Sequence, residues 1–405
     1  ACNLCRLYFK TGNLDESVAW GKIALEKAPD YFQAMNNLAS AYRALKRYEE
    51  AKEHFERAIQ LADGKVDQEM MLSLRVNLCG VLASLGLSGE AEQILVESLE
   101  MDPEHGRSWN ALGQLCQEMG QTKDATTCFQ RAVEINADDR IAVSNLLYGL
   151  NVDVELDRQQ QLDLHIALTS SLPRRPSSKF KNDRNPARKL RVGYVSADFR
   201  KHAMYGFLTP ILKHHDRDQF KIYGYSEVQC PDLTTVEYSK QCDGWLSTVG
   251  LEGRQIQQAI ENDAIDILID LTGHTAGNRL DIFALKPAPV QASMIGYLNT
   301  TGLPEVDYYI SDEIRDPVAD DKYYTEEVVR LPSGGIAWLP PEEAPEVGPS
   351  PWIENDVITF GSTHRLNKMN EHTLKVWANI LQQVPDSRLV LFRNDFLESE
   401  EIQAR

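Results

Sequence analysis

The feature that most constrains this chain is its internal periodicity. Leu4, Tyr8 and Ala24 return 34 residues later as Leu38, Tyr42 and Ala58. After an insertion around residues 64–70 the pattern resumes with Leu78, Gly86, Ala91 and Pro103. A further 34 residues bring Leu112, Gly120, Ala125 and Ala137, with Trp109, Phe129 and Ala132 among them. A unit of this length, alternating small and large apolar positions, reads as helix–turn–helix. It cannot bury its apolar face alone and must stack on copies of itself. Small residues at Ala51, Ala91 and Ala125 let paired helices approach closely, and Phe55 and Phe129 fill the space between them.

This is the tetratricopeptide signature. Four repeats and a partial fifth helix over 141–150 assign residues 1–150 to an all-α superhelix, whose concave face suits an extended peptide. Asn3, Asn37, Asn77 and Asn145 share one repeat position on that face, interrupted by Ala111. Stacked amides there suit a peptide backbone, since each offers both donors and an acceptor. They equally suit a role in holding neighbouring helices together. Repeats alone would make a binding scaffold.

A chain of 405 residues has room for two to four domains, and its 42% hydrophobic and 25% charged content is that of a globular protein. With 42 Lys+Arg against 60 Asp+Glu, the net charge of −18 argues against a nucleic-acid partner, which demands positive charge at phosphates. No apolar run is long enough for a membrane span, so no membrane partner is expected. Seven cysteines include Cys2-x-x-Cys5, but no second pair follows at zinc spacing, and reduced thiols of a cytoplasmic protein are expected. The chain opens inside a helical pattern and closes on a polar helix-like segment without caps, which reads as a fragment of something longer.

Residues 151–189 read as a helical, then basic linker. Val154–Leu172 is polar and helical; Arg174, Arg175, Lys179, Lys181, Arg184, Arg188, Lys189 and Arg191 follow with Asp183 as the one acid among them. Such a run is either a phosphate patch or, as charge runs usually are, a solvated linker. From Leu190 the periodicity changes. Leu190–Val195, Phe220–Tyr225 and Ile265–Leu271 read as strands, and 205–214 and 255–261 as helices, giving a doubly wound α/β domain over 190–340. Ligands of such a domain sit beyond the carboxyl ends of its strands. There stand His202 with Asp198 nearby, and His274 with Asp270 nearby, pairs suited to general base or positioning work. A second α/β unit over 355–405 opens with strand 357–361, helix 370–383 and strand 388–392. Its first loop offers His364, Arg365 and Lys368, cations suited to a nucleotide diphosphate. Neither a GxGxxG nor a GxxxxGK[ST] is present, against a nicotinamide dehydrogenase or a P-loop NTPase.

The residues also match something specific. Leu190-Arg-Val-Gly-Tyr-Val-Ser-Ala-Asp-Phe-Arg-Lys-His202, Asp270-Leu-Thr-Gly-His-Thr-Ala-Gly-Asn-Arg279, Pro287-Ala-Pro-Val-Gln291, Gly296-Tyr-Leu-Asn-Thr-Thr-Gly-Leu-Pro304 and Val306-Asp-Tyr-Tyr-Ile-Ser-Asp312 stand in order. With Val376-Trp-Ala-Asn-Ile-Leu381 and Val384-Pro385 they resemble glycosyltransferase family 41, the protein O-GlcNAc transferases and Spindly-type relatives. The resemblance implies a tetratricopeptide superhelix followed by an α/β GT-B fold, two Rossmann-like halves of which the second is incomplete here. It implies transfer of a sugar from a nucleotide-sugar donor, foremost UDP-GlcNAc, to Ser/Thr hydroxyls of intracellular proteins held by the repeats. No metal or other cofactor is implied; the location implied is the cytoplasm, or the nucleus in a eukaryote.

By motif position His202 is the base or positioning group, Lys368 steadies the leaving diphosphate and Arg365 lies near the nucleotide. Asp270 and His274 line the sugar and acceptor side. Leu298 replaces a proline usual in the family, which is expected to loosen that turn. Thr363-His364-Arg365 departs from the family pattern, and its diphosphate-binding helix start has no counterpart before Arg405, so no turnover is expected of these 405 residues. Two rivals remain: a Spindly-type protein O-fucosyltransferase using GDP-fucose, and a tetratricopeptide adaptor with an inactive transferase half.

Overall fold

A computed structural model describes residues 1–175, 180–185, 187–340 and 344–392. Ten helices lead the chain: α1 (Cys2–Lys10), α2 (Leu14–Lys27), α3 (Phe32–Ala44), α4 (Tyr48–Ala62), α5 (Gln68–Ser84), α6 (Ser88–Met101), α7 (Gly106–Glu118), α8 (Thr122–Ile135), α9 (Arg140–Leu150) and α10 (Arg158–Thr169). The chain divides into two compact units, Ala1–Lys27 with Ala137–Pro341, and Ala28–Asn136 with Glu342–Arg405.

The repeat helices pack pairwise, α1 on α2, α3 on α4, α5 on α6 and α7 on α8. Each pair turns through a residue in the left-handed region: Gly12, Lys46, Gly86 and Gly120, with φ of 76°, 60°, 77° and 78°. Three are glycine because a Cβ strains that conformation; Lys46 bears the strain. Within the pairs Ala51, Ala91 and Ala125 are buried, as are Phe55 and Phe129. At the α7–α8 crossing a Cβ on Gly113 would stand 2.6 Å from the Phe129 ring, so the small residue is a packing requirement.

In the unit that also holds α1 and α2, α9 starts at Asp139, whose carboxylate accepts from the amides of Ile141 and Ala142, and α10 starts in a capping box of Asp157 and Gln160. The sheet then forms from β1 (Leu190–Ser196), β2 (Phe220–Ser226), β3 (Gly244–Ser247), β4 (Ile267–Asp270), β5 (Val290–Met294), β6 (Tyr308–Ser311) and β7 (Glu327–Arg330). All pairings are parallel, in the order β3-β2-β1-β4-β5-β6-β7. Helices α11 (Tyr205–Lys213), α12 (Leu233–Lys240), α13 (Gly253–Asn262) and α14 (Leu280–Ala284) lie between strands. Both faces are covered, as a parallel sheet requires. Val192 and Tyr194 pack into one apolar cluster with Phe199, Leu208 and Tyr238, while Val195 packs into a second with Ile256, Ile260 and Phe283. Strands β1, β2 and β4 coincide with those read from sequence. The four missed strands, β3, β5, β6 and β7, have four or five residues each and lack the continuous apolar run that marks the equally short β4.

The basic linker corrects the expectation of a solvated run. Arg174 pairs with Glu305 at 3.2 Å and Arg175 with Glu261 at 2.6 Å. Arg188 grips Asp266 with both terminal nitrogens at 2.6 Å. Asp266 also accepts from the Arg191 amide and from Asn182, so the linker is fastened to the amino-terminal end of the central strand β4. Lys179 lies outside the described residues.

The second α/β segment contains α15 (Pro351–Asn355), β8 (Thr359–Ser362), α16 (Glu371–Gln383) and β9 (Arg388–Leu391), with β8 and β9 paired in parallel. Residues 393–405, the rest of the expected second half, lie outside the described residues.

Candidate active site

The order reversal in the sheet falls between β1 and β4, which both begin at the centre and send their connections to opposite sides. The loops beyond their carboxyl ends carry the histidines singled out in the sequence. They meet closely: a Cβ on Gly277 would lie 2.8 Å from that of Ala197.

After β1, the Ser196 hydroxyl accepts from the Asp198 amide at 2.9 Å, and Asp232 accepts from the Lys201 amide at 2.7 Å. These bonds shape the loop so that His202 Nδ1 stands 3.4 Å from Asp198 Oδ1. The imidazole is 35% exposed and the carboxylate 14%. Burial raises the Asp198 carboxyl above its ordinary value, opposed by His202 and Arg200. A half-exposed imidazole backed by a mostly buried carboxylate at this position can take a proton from a hydroxyl.

The loop after β4 is built differently. Asp270 is buried and accepts from the amides of Thr272 (3.1 Å) and Gly273 (2.8 Å) and from Ser293 Oγ (2.8 Å). Loss of hydration pushes its carboxyl up to about 6, against the pull of those bonds. Gly273 has φ of 53°, and a Cβ there would lie 2.1 Å from that of Tyr297, so no larger residue fits. His274 is 3% exposed; its Nε2 lies 2.8 Å from the carbonyl of Thr301, to which it donates, and its Nδ1 is buried with no hydrogen-bond partner among the described residues. Burial lowers its value to about 3, keeping the ring neutral.

The sequence reading sets His274 and Asp270 side by side, suited to general base or positioning work, on the sugar and acceptor side. The structure separates their work: Asp270 ties the turn and the neighbouring strand, whereas His274 packs edge-on against His165 and Tyr297, with ring centroids 5.5 and 5.3 Å away. The cavity beside His274, lined also by Arg140, Ser144, Thr169 and Asn278, holds about 30 Å³. That is room for one or two waters and not for a sugar. Here both residues support the loop from inside.

His165 and Tyr297 are residues that the sequence reading left without a role. His165 Nε2 meets the Tyr297 hydroxyl at 2.7 Å, which also receives Asn151 Nδ2 at 2.8 Å and lies 3.0 Å from the Leu147 carbonyl. Asn299 donates to Asn151 and Gln161, and buried Glu326 accepts from the Thr300 hydroxyl at 2.6 Å and the Thr301 amide at 2.8 Å. This network ties α9 and α10 to the 296–302 turn. The turn is not loosened by Leu298: that side chain is 65% exposed, and the Tyr309 hydroxyl holds the Tyr297 carbonyl at 2.7 Å.

Arg365 and Lys368 belong to the other compact unit. They border a 3₁₀ turn, Leu366–Lys368, that follows β8, and both are exposed. The turn rests on the end of α7, where a Cβ on Gly120 would lie 3.0 Å from that of Leu366. His364 Nδ1 meets Ser362 Oγ at 2.8 Å, fixing the loop from within. Of the repeat amides, Asn3 on α1 is exposed, and Asn145 on α9 and Asn37 on α3 are half-buried. Asn77 donates to Asn36 Oδ1 at 3.1 Å, an amide bridge between adjacent repeats.

These features define a class: tetratricopeptide helix pairs joined to a doubly wound parallel sheet that carries a histidine–carboxylate pair at its switch point. Residues 144–335 match Glycosyl transferase family 41, and residues 1–64 and 82–147 match tetratricopeptide repeats. The chain thus carries a region similar to glycosyltransferase family 41 behind tetratricopeptide repeats. It is 37% identical over 265 residues (64% of this chain) to a probable UDP-N-acetylglucosamine–peptide N-acetylglucosaminyltransferase SPINDLY of Petunia hybrida. To the SPINDLY of Arabidopsis thaliana it is 39% identical over 266 residues, again 64% of this chain. It spans 28% and 29% of these two relatives, under a third of their length. Among solved structures, a mutant O-GlcNAc transferase of Thermobaculum terrenum superposes with a TM-score of 0.74 at 26% identity, over 100% of this chain and 69% of that one.

Proposed function

We propose that this chain belongs to a protein O-glycosyltransferase that moves N-acetylglucosamine from UDP-GlcNAc to Ser or Thr hydroxyls of intracellular proteins carried by the repeats. The observation that supports this reading most directly is the His202–Asp198 pair, half open at the end of β1. In the transfer the acceptor oxygen bonds to the anomeric carbon as the bond to the diphosphate breaks. His202 takes the hydroxyl proton, and Asp198 steadies the imidazolium that forms. Lys368, with Arg365, neutralises the charge that builds on the departing diphosphate. Asp270 and His274 hold the β4 loop in place, and Asn3, Asn37, Asn77 and Asn145 contribute to the peptide-binding face. Neither a metal nor another cofactor enters this scheme.

The test is incubation of the full-length protein with UDP-GlcNAc or GDP-fucose and a Ser/Thr-rich peptide, with the product read by mass spectrometry. Transfer of N-acetylglucosamine supports the reading, transfer of fucose moves it to the other donor, and transfer from neither leaves an adaptor. Lys368→Ala should abolish transfer while peptide binding survives. Unchanged activity would remove Lys368 from the mechanism.

A further inference from the structure

The backbone that carries His202 is held on both sides. The Arg200 amide donates to the Asp198 carbonyl at 2.7 Å, and the Tyr205 amide to the His202 carbonyl at 2.9 Å. Between Asp198 and His202 the Phe199 side chain is fully buried, its ring centroid 5.5 Å from that of Tyr238 and 5.2 Å from that of Trp245. Asp232, which caps α12, clamps the Lys201 amide with its other oxygen. A ring on so fixed a backbone moves chiefly by rotation about its own side-chain bonds.

Two groups compete for one nitrogen of that ring. His202 Nδ1 lies 3.4 Å from Asp198 Oδ1, and it accepts from the Met204 amide, also at 3.4 Å. Both distances are longer than the roughly 3 Å of a well-formed bond, so the ring belongs fully to neither partner. The two claims exclude each other. In a neutral imidazole a ring nitrogen either carries the proton and donates, or carries the lone pair and accepts. An ionised carboxylate only accepts, and an amide N–H only donates. With the proton on Nδ1 the ring serves Asp198, and Nε2 carries a lone pair able to take a hydroxyl proton. With the proton on Nε2 the ring serves Met204, its Nδ1 lone pair faces the carboxylate, and Nε2 can take nothing. The first state gains a charge-assisted bond, about twice as strong as a neutral one, and avoids that repulsion.

We propose that Asp198 is a positioning residue that selects the Nδ1–H tautomer of His202 against the claim of the Met204 amide, and so decides whether the ring can act as a base. This deepens the proposed function and rests on the reading that His202 takes the acceptor proton. The tautomer itself is read without donor or acceptor, so either idea can fail while the other stands.

The test is nitrogen-15 NMR of the histidine rings in the full-length protein at a pH of about 8, where an ordinary imidazole is neutral. The His202 signals are assigned by their absence from His202→Gln. Wild type should show a protonated Nδ1 and an unprotonated Nε2. Asp198→Asn and Asp198→Ala should move the proton to Nε2, because the Met204 amide then meets no charged competitor. Thermal unfolding shows whether each variant keeps its fold; if neither does, the wild-type spectrum decides alone. In parallel, both variants should lose about a hundredfold or more in kcat for transfer while both KM values hold, since a base is masked and no substrate contact is removed. A proton on Nε2 in wild type, or one that stays on Nδ1 in both variants, would overturn the proposal. A tautomer that switches while kcat holds would support it, and would instead strip His202 of the base role.

Discussion

Replacing Asp270 by Asn isolates what a buried charge costs this sheet. The wild-type carboxyl sits at about 6 in the fold against an ordinary value of 3.8, because burial removes its hydration and three hydrogen bonds restore only part of it. The sign follows from proton counting. Between pH 4 and 6 the folded chain holds a proton that the unfolded chain has released, so stability falls as pH rises through that window. Two pH units at 1.4 kcal/mol each amount to about 3 kcal/mol, all of it lost above pH 6 or so. Asn cannot titrate, and its amide nitrogen must face at least one of the amides that Asp270 now accepts from. That mismatch costs about 1–3 kcal/mol at every pH. The assay is urea unfolding of wild type and Asp270→Asn, followed by far-UV circular dichroism at pH 5 and 7.5. Wild type should be the more stable at pH 5, and its advantage should shrink toward pH 7.5 by about half of the full linkage. All other titrating groups are common to both proteins and cancel. A difference that stays constant with pH would refute the reasoning, since it would mean that Asp270 does not carry an elevated value.

His165 and His274 act with the opposite sign. Their values in the fold, about 4 and about 3, lie below the ordinary 6.5, so their contribution is full above pH 6.5 and is lost as pH falls toward 4. A His274→Leu variant should have a lower melting temperature at pH 7.5 than wild type, yet lose less of it at pH 5. Lys46→Gly should raise stability by about 1 kcal/mol by relieving the left-handed strain that its three sister turns avoid; a fall in the urea midpoint would contradict this. Gly113→Val should cost about 1–3 kcal/mol through its clash with the Phe129 ring, read as a lower melting temperature. The paired variant Gly113→Val/Phe129→Leu should recover part of that loss.

The repeat turns, the Phe55 and Phe129 positions and strands β1, β2 and β4 were legible in the sequence because local period reports them: small residues where helices cross, apolar runs where a strand is covered on both faces. Topology then followed, since strands alternating with helices wind in parallel and place their loops at one edge of the sheet. His202 and its Asp198 neighbour were legible for the same reason, being four residues apart in one loop. What tertiary structure alone decided is the environment of each polar group. His274 looks like His202 in the sequence, but His165 and Tyr297, brought in from distant segments, cover it and make it a support. The basic linker looks solvated until Glu305, Glu261 and Asp266 arrive to hold its arginines. Periodicity is a property of adjacent residues and survives in one dimension. Burial, hydration and charge pairing depend on what the folded chain brings within a few ångströms, and no local pattern contains that.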